Sequence, residues 1–139
     1  MQRILALDVG DKRIGVAVSD PLGYTAQGLE TYTRKETQEQ DVDYILNLAE
    51  RYRPVRLLFG MPRNMDGSYG FQSEKVRAFA DAVLQKWDGE YDFYDERLTT
   101  AAAERVLLDA DVSRKKRRQV IDKMAAVVIL QGYMETQHR

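Results

Sequence analysis

The stretch ILALDVGDKRIGVAVSD, residues 4–20, constrains the fold most, because it carries an aspartate to the end of an apolar run and follows it at once with a glycine turn. As a strand, the run puts Ile4, Ala6 and Asp8 on one face and Leu5, Leu7 and Val9 on the other. A carboxylate in line with buried side chains is costly without a partner. Taken alone, Asp8 reads first as a residue that ends the strand and hydrogen-bonds the backbone of the Gly10-Asp11 turn. The rest of the chain decides whether it does more.

Only Gly10, Asp11 and Lys12 separate this run from RIGVAVSD, a spacing that predicts an antiparallel hairpin with Gly10 in a left-handed conformation. In the second strand Ile14, Val16 and Val18 alternate with Gly15, Ala17 and Ser19. One face is bulky and the other small, so a helix can approach the sheet closely on the small side. YTAQGLETYTR reads as a third, more polar strand suited to a sheet edge.

From Gln40 the period changes. Val42, Ile45, Leu46, Ala49 and Tyr52 form one stripe of an amphipathic helix that ends before Pro54. VRLLFG is a short apolar run, as expected of a central strand covered on both faces. GMPRNMDGSYG, with three glycines and a proline, is a loop. Val76, Phe79, Ala80, Val83, Leu84 and Trp87 mark a second helix, and EYDFYDER a fifth strand. Thr99 or Thr100 can cap a short helix carrying Ala103, Val106 and Leu107, and Ser113 can cap the last helix. The order β-β-β-α-β-α-β-α-α predicts a mixed α/β sheet: a three-stranded antiparallel meander, then strands alternating with helices that flank the sheet. At 139 residues the chain is expected to be a single domain, 1–139.

Two further acids resist explanation as solvated surface. In YDFYDERLTT, Asp95 and Glu96 lie where the fifth strand gives way to the next helix cap. A strand continuing through both points them to opposite faces, so only one can join Asp8. Glu96 is the expected member of the set, against plainer roles as the ion-pair partner of Arg97 or as an acid favoured near a helix N-terminus. Asp122 heads a stripe of the final helix in which Ala125, Ala126 and Ile129 follow at i+3, i+4 and i+7. Small residues let that helix pack close to the sheet, which aims Asp122 inward; the alternative is an exposed acid paired with Arg118 or Lys123.

Three acids at one spot repel one another and raise each other's pKa unless a cation lies between them. The chain has no cysteine, and His138, its one histidine, lies near the terminus and is expected to be solvent-exposed. A zinc site is therefore disfavoured, and hard Mg²⁺ or Mn²⁺, which prefers carboxylate oxygen, is the expected cofactor. Metals held by acids are a known arrangement for phosphodiester hydrolysis. The net charge of −1 argues against an all-over polyanion-binding surface, but the cations are clustered. Arg114, Lys115, Lys116, Arg117 and Arg118 open the last helix, where the macrodipole disfavours cations, and phosphate contacts supply a compensating reason. Lys12 and Arg13 follow Asp8, and Arg63 and Asn64 add donors in the glycine-rich loop.

Segments LALDVGDKRIGVAVSD, GMPRNMDGSYG, DERLTT and IDKMAAVVILQGY, in that order, closely resemble the bacterial YqgF family of Holliday-junction-resolvase-like or pre-16S rRNA processing nucleases. The resemblance covers essentially the whole chain. It implies a ribonuclease H-like fold and a divalent-metal-dependent hydrolase that matures the 5′ end of small-subunit ribosomal RNA. It also implies that Asp8, Glu96 and Asp122 are the catalytic and metal-binding acids; Lys12, Arg13, Arg63, Asn64, Arg97, Arg114, Lys115 and Arg118 are the expected substrate contacts.

Three rival expectations remain. A Holliday-junction resolvase would use the same acids on DNA. A non-catalytic RNA-binding module would use them structurally. An ATP-phosphate binder of the actin and sugar-kinase type shares the first hairpin, but needs a second domain to close over nucleotide. Expected partners are nucleic acid and the small ribosomal subunit. No apolar run approaches the ~20 residues that span a bilayer, and the first residues lack a secretory pattern, so the expected location is the cytoplasm.

Overall fold

A computed structural model describes residues 2–62, 70–95 and 114–137, with the side chains of the last segment described over 124–136. The elements are β1 (Arg3–Val9), β2 (Arg13–Ser19), β3 (Ala26–Thr33), α1 (Gln38–Arg51), β4 (Val55–Met61), α2 (Phe71–Leu84), β5 (Tyr91–Asp95) and α3 (Arg114–Gln137). The five strands form one mixed sheet in the order β3-β2-β1-β4-β5. β1, β2 and β3 are an antiparallel meander, whereas β4 and β5 join parallel to β1. The fold class expected from the sequence is the one observed, with the polar third strand at an edge. The short helix expected around Ala103, Val106 and Leu107, with its Thr99 or Thr100 cap, and the Ser113 cap lie outside the described residues.

Strand alternation sorts the core into two layers. Leu5, Leu7, Val9, Ile14, Val16, Val18, Leu57 and Phe59 meet α1 and α2 on one face. On the other, Ala6, Ala17 and Leu58 pack against Ala126, Ile129, Leu130, Tyr133 and Met134 of α3. The predicted small side of β2 is the side against which α3 packs. Ala125, Ala126 and Ile129, the stripe that follows Asp122, are all buried.

α1 begins two residues before its apolar stripe suggests, because Thr37 caps it: the Thr37 hydroxyl accepts the Gln40 N–H, and the Gln40 side chain accepts the Thr37 N–H. Leu48 is buried on this helix, while Leu46 is only partly so. Gly10 departs from expectation. Among the described residues the glycine with positive φ is Gly23, at 77°, in the β2–β3 turn. What requires glycine at position 10 is space: its N–H donates to the Arg13 carbonyl at 2.8 Å, and a Cβ built there meets that same oxygen at 2.8 Å.

Candidate active site

Asp8 is half-buried in the last turn of the β1 pleat, on the face that carries Ala6 and α3. Its register partner on β2 is Gly15. On β4, Phe59 is the partner of Leu7, so Gly60 follows on Asp8's other flank. Gly60 pairs with Tyr94, which packs against the α3 layer, and so shares that face. Asp8 therefore stands between two strand positions that contribute no side chain, leaving its carboxylate bordered by backbone.

The turn beyond Asp8 is braced from α1. Arg34 donates through Nε to Asp41 at 2.8 Å and through its terminal NH1 nitrogen to the Gly10 carbonyl at 3.0 Å, and its backbone N–H donates to the Lys12 carbonyl at 2.9 Å. The guanidinium also lies over the Phe79 ring. Asp41, only 1% exposed, accepts from the Tyr32 hydroxyl at 3.0 Å and the Lys35 N–H at 2.9 Å as well. Burial pushes the Asp41 carboxyl up, but the Lys35 N–H, Arg34 and Tyr32 outweigh it and hold the group below the usual aspartate range. Burial and the Asp41 carboxylate push the Tyr32 hydroxyl up to about 12. Sequence reasoning missed this brace. Its signal was present: Asp41 stands at i−4 to Ile45 and i−7 to Leu48, on the stripe that is buried.

Of the predicted substrate contacts, Lys12 is exposed in the turn. Arg13 opens β2 two residues before Gly15 and so shares Asp8's face. Glu96, Arg63, Asn64 and Arg97 lie outside the described residues. Arg114, Lys115, Arg118 and Asp122 are positions on α3 whose side chains lie outside them. Among the described residues no three acids converge on one point. Asp95, the rival of Glu96, lines a cavity of about 540 Å³ with Met61, Ser73, Arg77, Asp81 and Phe93. Phe93, two residues earlier on the strand, packs in the α1–α2 core, whereas Tyr94 packs in the α3 layer. Asp95 is thus on the opposite face of the sheet from Asp8.

A family model described as "RuvX: Holliday junction resolvase" matches residues 2–136. The chain belongs to the RuvX family. A RuvX-family relative from Desulforamulus reducens is 56% identical over 134 residues, 96% of this chain and 97% of its own, and bears the name "Putative pre-16S rRNA nuclease". One of the same name from Halothermothrix orenii is 53% identical, covering 99% and 97% of the two chains. The fold matches that of T. thermophilus RuvC, solved in complex with Holliday junction substrate, with a TM-score of 0.62 at 12% identity over 99% of this chain and 96% of that one. The RuvX-family chain described here is a nuclease built on the ribonuclease H-like fold.

Proposed function

We propose that the chain is a single nuclease domain that hydrolyses phosphodiester bonds in precursor 16S rRNA, trimming its 5′ end in the cytoplasm during assembly of the small subunit. The observation that carries the substrate is the name shared by relatives more than half identical over nearly their whole length. Junction DNA is the second reading, favoured by the family description and the RuvC-like fold.

Asp8, Glu96 and Asp122 are the proposed catalytic set. Asp8 fits because it lies near the end of a central strand, between two glycine positions, on the α3 side. Glu96 is retained because Asp95, its rival, stands on the opposite face of the sheet from Asp8. Asp122 fits by the run of α3. The Tyr133 hydroxyl, on α3, accepts from Arg56 at 2.8 Å and donates to Asp92 at 2.9 Å, near the starts of β4 and β5. Position 122 lies eleven residues earlier, about 16 Å along the helix. Ile4, the β1 partner of Arg56, lies four residues, about 13 Å, before Asp8. An α3 running back along the sheet brings position 122 to the Asp8 end, with Ala125 and Ala126 buried on the way.

Nucleases of this kind work with divalent metal ions. A set made only of carboxylates fits Mg²⁺ or Mn²⁺; Asp8, Glu96 and Asp122 would hold the ion, which supplies Lewis acidity toward the phosphate and toward a bound water. Arg13 and Lys12 set the phosphate backbone against Asp8. Arg63, Asn64, Arg97, Arg114, Lys115 and Arg118 extend that grip along the strand.

The substrate is tested by incubating the protein and Mg²⁺ with a labelled 5′ segment of precursor 16S rRNA and, separately, with a four-way DNA junction. Faster cleavage of the RNA at a defined position supports the reading. Cleavage of the junction alone replaces it with the second.

A further inference from the structure

The chain has four phenylalanines. Phe59 and Phe79 are fully buried, and Phe93 packs partly against the same core. Phe71 is 72% exposed. It opens α2, immediately after the segment that follows β4. Its ring lies under the Lys75 ammonium, 4.6 Å from the centroid, and Lys75 in turn pairs with Asp11 at 3.3 Å. Asp11 is three residues beyond Asp8, a reach of about 10 Å at full stretch. Lys12 stands exposed beside it. Among the described residues the other well-exposed aromatics are Tyr24, in the β2–β3 connection at the opposite end of β2, and Tyr91, which opens β5. The Asp8 end of the sheet thus carries a water-facing ring with the Lys75 ammonium over it, and a second exposed cation, Lys12, in the turn whose Asp11 pairs with Lys75.

A ring beside cations is the combination that single-stranded nucleic acid uses, with bases stacked on aromatic faces and phosphates met by lysines. We propose that Phe71 is a stacking platform for an unpaired base of the substrate strand, with Lys75 and Lys12 taking the adjoining phosphates. The proposal rests on the nuclease reading above and deepens it. The preferred substrate is a strand with an unpaired nucleotide close to the scissile phosphate, and a continuous duplex, whose bases are already stacked, gains nothing from Phe71.

The test uses the full chain in EDTA, so that binding is read without cleavage, and a fluorescein-labelled single-stranded RNA oligonucleotide beside the same sequence in a perfect duplex. Phe71→Leu keeps an apolar side chain without the ring; at an exposed position it leaves the fold intact, which a melting curve checks. It is expected to weaken single-strand binding about five- to hundredfold and to change duplex binding less than twofold. Phe71→Trp is expected to retain affinity, and its added emission, read against the parent with buried Trp87, is quenched when the single strand binds. Unchanged binding in Phe71→Leu, equal loss on both probes, or an unquenched tryptophan overturns the platform. Cleavage in Mg²⁺ separates this from the site itself. If Asp8→Asn abolishes cleavage while Phe71→Leu binds normally, the platform alone fails. If Asp8→Asn cleaves like the parent while Phe71→Leu loses single-strand binding, the acid site fails and the platform stands.

Discussion

Asp8 stands directly opposite Gly15 in the β1–β2 ladder, so the strand position facing the proposed catalytic carboxylate contributes no side chain. Gly15→Val fills that place on the α3 side of the sheet. Cleavage is expected to fall about a hundredfold, because a small displacement of a reacting group carries a cost of that order. Crowding under α3 is expected to cost about 1–3 kcal/mol of stability, read separately by denaturant unfolding. Full activity in a folded Gly15→Val would show that the space beside Asp8 has no catalytic use.

The Asp41 carboxylate receives three hydrogen bonds in a nearly dry setting, and Asp41→Asn leaves Arg34 without its counter-charge. A loss of about 3 kcal/mol at neutral pH is expected, the low end for breaking a buried pair because Arg34 is partly exposed. The sign with pH follows from a folded pKa held below the ordinary value. The ionised carboxylate's contribution is complete above the unfolded aspartate pKa of about 3.9 and disappears as pH falls through the lower folded value. Urea midpoints of parent and Asp41→Asn should therefore stand apart at pH 7 and converge in acid. A gap that persists at the lowest pH contradicts the ionised brace.

Tyr32 gives the complementary alkaline signature. Its hydroxyl is raised to about 12 in the folded chain against about 10 when unfolded, so its contribution is complete below pH 10 and is lost as pH rises toward 12. Ultraviolet titration of tyrosinate absorbance should find a late-titrating hydroxyl in the parent that is missing from Tyr32→Phe.

Gly10→Ala tests the turn. A methyl group at this position meets the Arg13 carbonyl at a distance only a backbone shift can relieve, since the oxygen belongs to the main chain. A loss of about 1–3 kcal/mol is expected from the crowding. Cleavage is expected to fall as well, because Lys12 and Arg13 move with the turn. A melting temperature equal to the parent's contradicts a turn closed this tightly.

Much of this was legible in the residues. Alternation alone put Asp8 on the face of Ala6, and the small residues of β2 announced which face takes the last helix, because strand periodicity is strict and a helix needs little more than space to approach. The choice between Asp95 and Glu96 was not legible, since both follow the same strand and only packing tells which parity faces α3; the side chains beside it, Phe93 and Tyr94, sort Asp95 to the far face. The Arg34–Asp41 brace escaped because its partners come from β3, α1 and two turns, and no local pattern links positions that meet only in the folded chain. Gly10 serves close approach rather than the left-handed conformation its turn suggests, because a turn glycine can do either and sequence does not separate the two.

The central claim, that Asp8 is the fixed point of a catalytic acid site, is tested most directly by Asp8→Asn. The substitution keeps the size of the side chain and removes its charge. Cleavage of the labelled precursor rRNA in Mg²⁺ or Mn²⁺ is expected to drop about a thousandfold, with melting temperature and RNA affinity in EDTA held near the parent's. Cleavage within tenfold of the parent, in a variant that folds and binds normally, contradicts the account.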